Sequence, residues 1–303
     1  MLMNFISLFL MFLFSLISVA FLTLLERKIL GYVQIRKGPN KVGIYGIFQP
    51  FSDAIKLFSK EFLIPLKSNF YPYWFSPLFT LYISSITWVV FPYMYVLLAW
   101  KYSIVLMISM MSMSVYSIMV SGWSSNSSYS LLGCIRVVAQ SISYEVSFFL
   151  LIFCLLYLIS SLILSDFNMY QDKVWFIIVM FPVFIMMFVS ILAELNRTPF
   201  DFSEGESELV SGFNIEFGSS GFAFIFLGEY LSILFSSLFL SYLFMGLMCS
   251  MQGFMKLIFI SFLIIVIRGS LPRYRYDKLM NLCWKSYLSS SLFLIIFYSS
   301  MFL

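Results

Sequence analysis

Long apolar stretches separated by short polar ones make up most of this sequence. The apolar runs are continuous for about 20 residues each, which is the length that an α-helix needs to cross the hydrocarbon core of a bilayer. A transmembrane barrel would show short segments of alternating polarity instead. The pattern therefore predicts an all-α, polytopic membrane protein with about eight transmembrane helices. We place the spans at residues 3–25, 73–98, 102–122, 138–164, 174–193, 219–247, 248–267 and 282–303.

Basic residues are distributed unevenly over the loops between these spans. With eight crossings, 15 of the 18 Lys and Arg residues fall on one side of the membrane, and Lys101, Lys173 and Lys256 fall on the other. Inner loops of membrane proteins are enriched in Lys and Arg. We therefore expect both termini to face the outer side and residues 1–303 to form a single membrane domain. The predicted inner loops are residues 26–72, 123–137, 194–218 and 268–281.

The first inner loop contains a predicted amphipathic helix that begins near Gln49. Pro50 suits a first helical turn. Large apolar side chains then recur at helical spacing, whereas the opposite face is charged. We expect this helix to lie in the membrane interface, with its apolar side toward lipid or toward the helix bundle. The apolar positions are Phe51, Ile55, Phe58 and Phe62, and the charged ones are Asp53, Lys56 and Lys60.

Upstream of this helix the loop is rich in glycine and in charged residues. Neither the GxGxxG nor the GxxxxGK[ST] pattern of phosphate-binding loops is present. We expect tight turns that fold the basic loop over the membrane surface rather than a nucleotide site. The glycines are Gly31, Gly38, Gly43 and Gly46.

Composition agrees with a membrane protein and restricts its chemistry. Of the 303 residues, 61% are hydrophobic and 11% are charged, and the mean hydropathy is +0.97. The chain has no histidine, which excludes histidine-held haem and most histidine-built metal sites. Its cysteines lack the CxxC spacing of iron–sulfur or zinc ligands. We expect buried free thiols at Cys134, Cys154, Cys249 and Cys283.

One stretch, residues 191–217, departs from this apolar background. It holds six of the 14 carboxylates of the chain and a single base, Arg197. Burial and like-charged neighbours both raise carboxylate pKa values, so these acids cannot all remain ionised cheaply. Three explanations are open for this cluster. Bases of a partner could neutralise the acids, the acids could hold and pass protons, or the stretch could be a loop in water. The acids are Glu194, Asp201, Glu204, Glu206, Glu208 and Glu216.

Two further carboxylates lie inside predicted spans, each beside a tyrosine. Glu145 follows Tyr144 in the fourth span, and Glu229 precedes Tyr230 in the sixth. An ionisable residue at such a depth is by default a functional-site candidate that faces the bundle.

Bases that could pair with these acids occur in two places. Glu194 and Arg197 are three residues apart and could pair on one helical face. The last inner loop supplies four more bases, which could counter the acids of residues 194–216 or simply set the topology. These bases are Arg268, Arg273, Arg275 and Lys278.

Four segments resemble one family closely and occur in that family's order. On them the chain resembles the subunit 1 family of respiratory complex I, the NADH:ubiquinone oxidoreductase, in its mitochondrially encoded form. The segments are ERKILGYVQIRKGPNKVGIYGIFQPFSDAIKLFSKE, AQSISYEVS, LAELNRTPFDFSEGESELVSGFNIEF and RGSLPRYRYDKLM.

The resemblance implies an enzyme subunit that is catalytic only in the assembled complex. Ubiquinone, its substrate, would enter from the bilayer between the first helix, the interfacial helix and the sixth helix. The cavity would then lead toward the terminal iron–sulfur cluster of a neighbouring subunit. The residues implied along this quinone cavity are Glu26, Arg27, Arg36, Phe51, Asp53, Arg268, Arg273 and Arg275.

The resemblance also implies a role in coupling electron transport to proton translocation. The carboxylates would begin a charged path toward antiporter-like subunits. A quinone that gains charge beside crowded carboxylates would shift their shared protonation, because coupled groups titrate together. The residues implied in this path are Tyr144, Glu145, Glu194, Arg197, Asp201, Glu204, Glu206, Glu208, Glu216, Glu229 and Tyr230.

Partners and location follow from the same resemblance. The expected partners are the peripheral quinone-site subunits, the antiporter-like and small membrane subunits of complex I, and the lipid bilayer, but not nucleic acid. We expect no metal, haem, flavin or iron–sulfur cluster to be ligated by this chain. The protein would be a multi-pass subunit of a respiratory-chain translocase in the mitochondrial inner membrane, with both termini toward the intermembrane space.

The residues alone leave other classes of function open. A stand-alone cation/proton transporter could use Glu145 and Glu229 as its relay, but the internal repeat common in secondary transporters is not visible. A passive membrane anchor for peripheral redox subunits would account for the loops but not for two deep acids. Within the family, a hydrogenase membrane-anchor subunit is the related alternative.

Overall fold

A computed structural model describes most of the chain, namely residues 2–93, 100–171, 173–202, 205, 212–246 and 251–302. Within these ranges the structure is helical, with turns and irregular segments and no strand. Short 3-10 turns cover Ile44–Gly46 and Gly212–Asn214, and a π-helical segment covers Leu282–Tyr287. The helices are α1 (Leu2–Val33), α2 (Gln49–Ser59), α3 (Phe70–Val89), α4 (Ser103–Ser124), α5 (Ser128–Ile159), α6 (Leu164–Tyr170), α7 (Phe176–Val179), α8 (Phe181–Glu194), α9 (Ser219–Met245), α10 (Met251–Ser270), α11 (Tyr276–Asn281) and α12 (Leu288–Phe302).

Six helices of the described part are long and apolar enough to cross a membrane. They are α1, α4, α5, α9, α10 and the continuous helix from α11 through α12. The predicted all-α, polytopic membrane class is therefore confirmed. α3 and α8 lie where the spans 73–98 and 174–193 are predicted, and the eight-span topology with its orientation stays a prediction. Residues 94–98 and 247–250, which belong to three predicted spans, lie outside the described residues.

Two helices are longer than the apolar runs that predict them. α1 continues through charged residues to Val33, and α5 begins at Ser128, well before residue 138. Hydropathy marks only the part of a helix that fits the bilayer, whereas charged residues such as Arg and Lys are good helix formers outside it.

The central helix of the bundle is α9. In its apolar window 72% of the residues are buried, against 17% in that of α1. α9 packs against α1, α2, α3 and α10. Its approach to α3 is close, because a Cβ atom on Gly228 would lie 3.3 Å from the backbone of Thr80. Glu229, the next residue, is thereby held within the bundle.

The predicted amphipathic helix is present as α2, which packs against α1 and α9. The ring of Phe51 lies 6.1 Å from that of Phe21 on α1, so this part of its apolar face is turned toward the bundle. The helix ends at Ser59 because Lys60 is extended. The prediction that Phe62 continues its apolar face is therefore wrong, and Phe62 packs against α3 instead.

Tight turns precede α2 at two of the predicted glycines. Gly43 and Gly46 have φ values of 69° and 80°, in the left-handed region that favours glycine. A Cβ atom on Gly46 would also collide with the carbonyl oxygen of Pro39. The turn explanation of these glycines is confirmed at both positions.

Candidate functional site

A cavity, here named the acidic cavity, opens inside the bundle between α3, α4, α9 and the end of α8. It encloses about 980 Å³ of space between atoms, its open mouth included. Three charged side chains line it, those of Glu194, Arg197 and Glu229. The hydroxyl-bearing residues of its wall are Thr80, Ser84, Thr87, Ser114, Ser117, Ser232 and Ser236.

The end of α8 determines where two of these charges lie. The helix ends at Glu194, and Asn196 then adopts a left-handed conformation (φ 50°) that an α-helix cannot continue. The prediction that Glu194 and Arg197 pair on one helical face is therefore wrong, because Arg197 has left the helix. Its guanidinium lies 3.6 Å from the carboxylate of Glu229 on α9.

Glu145, on α5, belongs to the same neighbourhood. Its carboxyl group interacts electrostatically with that of Glu194. Glu194 is surrounded by protein on most sides, and it keeps some accessible surface because it faces the acidic cavity. The structure thus gathers three predicted acids around the end of α8, two of them on the cavity wall.

A second buried cluster joins α1, α9 and α10. The hydroxyl of Tyr230 donates a hydrogen bond of 2.6 Å to one carboxylate oxygen of Glu26, and Arg268 forms an ion pair with the other. Glu26 is 6% exposed, so its charge is balanced by these neighbours rather than by water. A small cavity adjoins this cluster, and its further lining residues are Leu22, Arg197, Ile233, Ile264 and Ile265.

Arg197 connects the two regions, because it lines both cavities. Its guanidinium carbon lies 4.8 Å from the centroid of the Tyr230 ring, which is a cation–π distance. On its other side it pairs with Glu229. A continuous series of contacts therefore runs from Arg268 and Glu26 to the acidic cavity.

Other residues predicted for the quinone cavity lie along the α1–α2 side of the molecule. Arg27 and Asp53 form an exposed ion pair with a distance of 2.5 Å, and Gln49 donates a 2.9 Å hydrogen bond to the same carboxylate. Phe51 is 40% exposed, and Arg36 is exposed. The structure places none of these side chains on the wall of either described cavity.

The three arginines of the last predicted inner loop have separate partners. Arg273 lies 3.6 Å from the buried carboxylate of Asp201, so it counters an acid of the stretch as the sequence suggests. Arg275 lies 3.0 Å from Asp277, and both side chains are exposed. Of the three arginines predicted along the quinone cavity here, Arg268 borders the small cavity.

Two more predicted residues have contacts outside the cavities. Tyr144 is buried, and its hydroxyl donates a 3.4 Å hydrogen bond to the carbonyl oxygen of Leu279. The backbone carbonyl of Glu216 accepts a hydrogen bond of 2.6 Å from Tyr73. Three acids of the predicted path lie outside the described residues, namely Glu204, Glu206 and Glu208.

Gln140 and the hydroxyls of the acidic cavity are candidate residues that no sequence pattern marks. Gln140 is fully buried on α5 and donates hydrogen bonds to two backbone carbonyls of the α8 end and the following loop. The signal that could have indicated Gln140 is its position directly after three apolar residues in a predicted span. The hydroxyls carry no such signal, because each bonds to its own helix, as Ser114 does to the carbonyl of Met111 at 2.6 Å.

Metal-binding groupings are not found in the described ranges, where no three His, Cys, Asp or Glu side chains come together. Cys134, Cys154 and Cys283 are buried free thiols, as expected. Cys249 lies outside the described residues. The expectation that cofactors are carried by other chains stays a prediction.

Comparison with known proteins gives one consistent result. The model of the NADH dehydrogenase family matches residues 6–299. A relative from Anopheles gambiae, named NADH-ubiquinone oxidoreductase chain 1, is 54% identical over 283 residues, which are 93% of this chain and 90% of the relative. Relatives of the same name from Locusta migratoria and Branchiostoma lanceolatum are 55% and 46% identical, covering 93% and 97% of this chain and 90% and 95% of their own length. The resemblance seen in the sequence is confirmed, and the chain belongs to the NADH dehydrogenase family.

Proposed function

We propose that this chain, a core membrane subunit of complex I, forms the entry and binding cavity for ubiquinone and the start of the proton path. The observation that carries the proposal is the series of contacts from Arg268 to Glu229, which joins two cavities through Arg197. The subunit would act only in the assembled complex, with other subunits supplying the redox cofactors. It would lie in the mitochondrial inner membrane with both termini toward the intermembrane space.

Ubiquinone would reach the Glu26 cluster from the bilayer between α1, α2 and α9, which pack against one another. The exposed part of the Phe51 ring suits the long apolar tail of the quinone. The head group would then lie near Glu26 and Arg268. Because Glu26 is buried and Arg268 partly buried, these charges would act strongly on a quinone that becomes negative during reduction.

Reduction of a quinone to a quinol takes up electrons and protons in equal numbers, and the residues of this chain can supply the proton side. A negative quinone near Arg268 would weaken the hold of that base on Glu26. The hydrogen bond from Tyr230 would respond, and with it the position of Arg197 over the tyrosine ring. Glu229 and Glu194 would then change their shared protonation, because such a cluster titrates as a group.

A photoreactive quinone tests the quinone part of the proposal in native membranes. We expect the label within residues 26–62 or 191–230, and we expect excess quinone to compete it away. Label found on neighbouring chains alone would exclude the quinone cavity in this chain and support the passive anchor.

Glutamine variants test the proton part in the complex reconstituted into liposomes. We expect Glu145→Gln and Glu229→Gln to lower the number of protons moved per electron. Asp166→Asn, on α6 and away from both cavities, is the control and should pump normally. Unchanged pumping in both glutamine variants would refute the path, and proton movement without NADH oxidation would support a stand-alone transporter.

A further inference from the structure

Gln140 connects α5 to the segment that carries two of the acids. Its side chain is 0% exposed. The amide nitrogen donates hydrogen bonds to the carbonyl oxygen of Ala193 at 2.7 Å and to that of Phe200 at 3.0 Å. These residues come immediately before Glu194 and Asp201, so a single amide holds both ends of the segment between the two acids.

The surroundings fix the orientation of this amide. Carbonyl oxygens only accept hydrogen bonds, so the NH₂ group of Gln140 has to face both of them. The Oε1 atom of Gln140 is buried and has no hydrogen-bond partner among the described residues. A buried acceptor without a donor is unfavourable, and an apolar side chain of similar shape would avoid it. The two hydrogen bonds that Gln140 donates therefore offset the cost of its unpaired oxygen. An apolar side chain would fill the same space without that cost.

Two further contacts hold the segment from the opposite side. The hydroxyl of Thr198 donates to the carbonyl oxygen of Arg268 at 3.2 Å. The carbonyl oxygen of Pro199 accepts a hydrogen bond of 2.9 Å from the backbone of Tyr274. These bonds tie the segment to α10 and to the residues after it, whereas Gln140 ties it to α5.

We infer that Gln140 is a positioning residue, which fixes Glu194 and Asp201 relative to Glu145 on its own helix. This inference rests on the proposed role of these acids in the proton path. Proton transfer between side chains requires them to be within hydrogen-bond reach, directly or through one water molecule. Loss of the Gln140 hydrogen bonds would not replace any of the acids. It would release the backbone segment that sets the distances between their side chains.

Gln171 provides a matched control at a distance from the acids. It is 1% exposed, and its amide nitrogen donates to the carbonyl oxygens of Leu243 at 2.8 Å and Tyr242 at 3.4 Å. Its Oε1 atom is also buried without a partner among the residues that the structure describes. Replacing Gln171 therefore removes the same kind of bonds from the end of α9 and leaves the acidic segment untouched.

Hydrogen exchange on the assembled complex tests the positioning directly. In Gln140→Met we expect the backbone amides of residues 195–202 to exchange several-fold faster than in the parent chain. In Gln171→Met the same amides should exchange at the parent rate. If residues 195–202 exchange equally in all three proteins, the positioning role of Gln140 is excluded.

Gln140→Glu provides a second measurement, which a purely structural role would not affect. The new carboxyl can donate one hydrogen bond when protonated, but when ionised it has no donor and faces two carbonyl oxygens. We therefore expect protons moved per electron to fall as pH rises in Gln140→Glu, relative to Gln171→Glu. Parallel pH profiles in the two variants would contradict the inference.

The outcomes separate this inference from the proposed function. If residues 195–202 exchange faster in Gln140→Met while Glu145→Gln and Glu229→Gln pump normally, the positioning role stands and the proton path fails. If the two acid variants lose pumping while exchange in Gln140→Met is unchanged, the proton path stands and the positioning role fails.

Discussion

Tyr230 donates a hydrogen bond of 2.6 Å to Glu26, although the two residues are 204 positions apart in the chain. The bond joins α9 to α1, and Glu26 also pairs with Arg268 on α10. Three helices therefore meet at one buried carboxylate. A hydrogen bond to an ionised group is stronger than one between neutral groups, so the loss of this hydroxyl should be measurable.

Tyr230→Phe removes only the hydroxyl and should destabilise the protein by about 1.5–3 kcal/mol. We also expect a higher KM for quinone, because Glu26 would lose one of the two partners that the described residues give it. Thermal inactivation and steady-state kinetics of the assembled complex measure both effects. Tyr93→Phe is the control, since its hydroxyl donates to a neutral backbone carbonyl at 3.1 Å, and its KM should not change. An unchanged KM in Tyr230→Phe would contradict the proposed quinone site.

Asp53→Asn tests the α2 side of the proposed entrance. Its ion pair with Arg27 is exposed, with half of the Arg27 side chain accessible, so its loss should change stability by less than about 1 kcal/mol. We expect the KM for a long-tailed quinone to rise while the amount of assembled complex stays the same. If Asp53→Asn has the same KM for the long-tailed quinone as the parent chain, this carboxylate has no part in quinone entry.

Gly122→Ala tests the packing of α4 against α5. A Cβ atom at this position would collide with the Cβ atom of Cys134, so we expect a loss of about 1–3 kcal/mol in stability. The double variant with Cys134→Gly removes the collision and should recover part of the loss. Gly218→Ala, where a Cβ atom meets nothing within 4 Å, is the control. Equal thermal stability of Gly122→Ala and Gly218→Ala would contradict the packing.

Gly46→Ala tests the turn before α2. Its φ of 80° costs an L-residue about 1–2 kcal/mol, and the added methyl would collide with Pro39. We expect the loop to rearrange and release Lys28, which donates a 2.8 Å hydrogen bond to the carbonyl oxygen of Tyr45. Limited proteolysis should then cleave residues 34–48 faster than in the parent chain, and an unchanged cleavage rate would show that the turn tolerates a side chain.

Sequence patterns predict the helices well, for physical reasons. A bilayer requires continuous apolar surface, so the runs mark the helices, and α9 begins at Ser219 where the sixth predicted span begins. A carboxylate inside such a run is costly unless it faces the bundle. Glu145 and Glu229 stand out in the sequence for this reason. Glu229 lies on the wall of the acidic cavity, and the part of both acids in a proton path stays a prediction.

Contacts between distant residues could not be predicted in the same way. Spacing rules find partners one turn apart and pair Glu194 with Arg197, whereas the folded chain pairs Arg197 with Glu229 on another helix. A local backbone conformation explains this pairing, because the left-handed Asn196 ends the helical path before Arg197. Nor does any spacing relate Glu26 to Tyr230, because helix packing alone brings them together.

The cluster around Glu26 also has a mechanical consequence. α1 buries only 17% of its apolar window inside the chain, so most of that surface is left for lipid or for other subunits. Its bonds through Glu26 to Tyr230 and Arg268 fasten it to α9 and α10 from within. Replacing Glu26 by a neutral side chain would therefore remove the anchor of an entire helix as well as a charge, and α1 would be held to α9 and α10 less firmly.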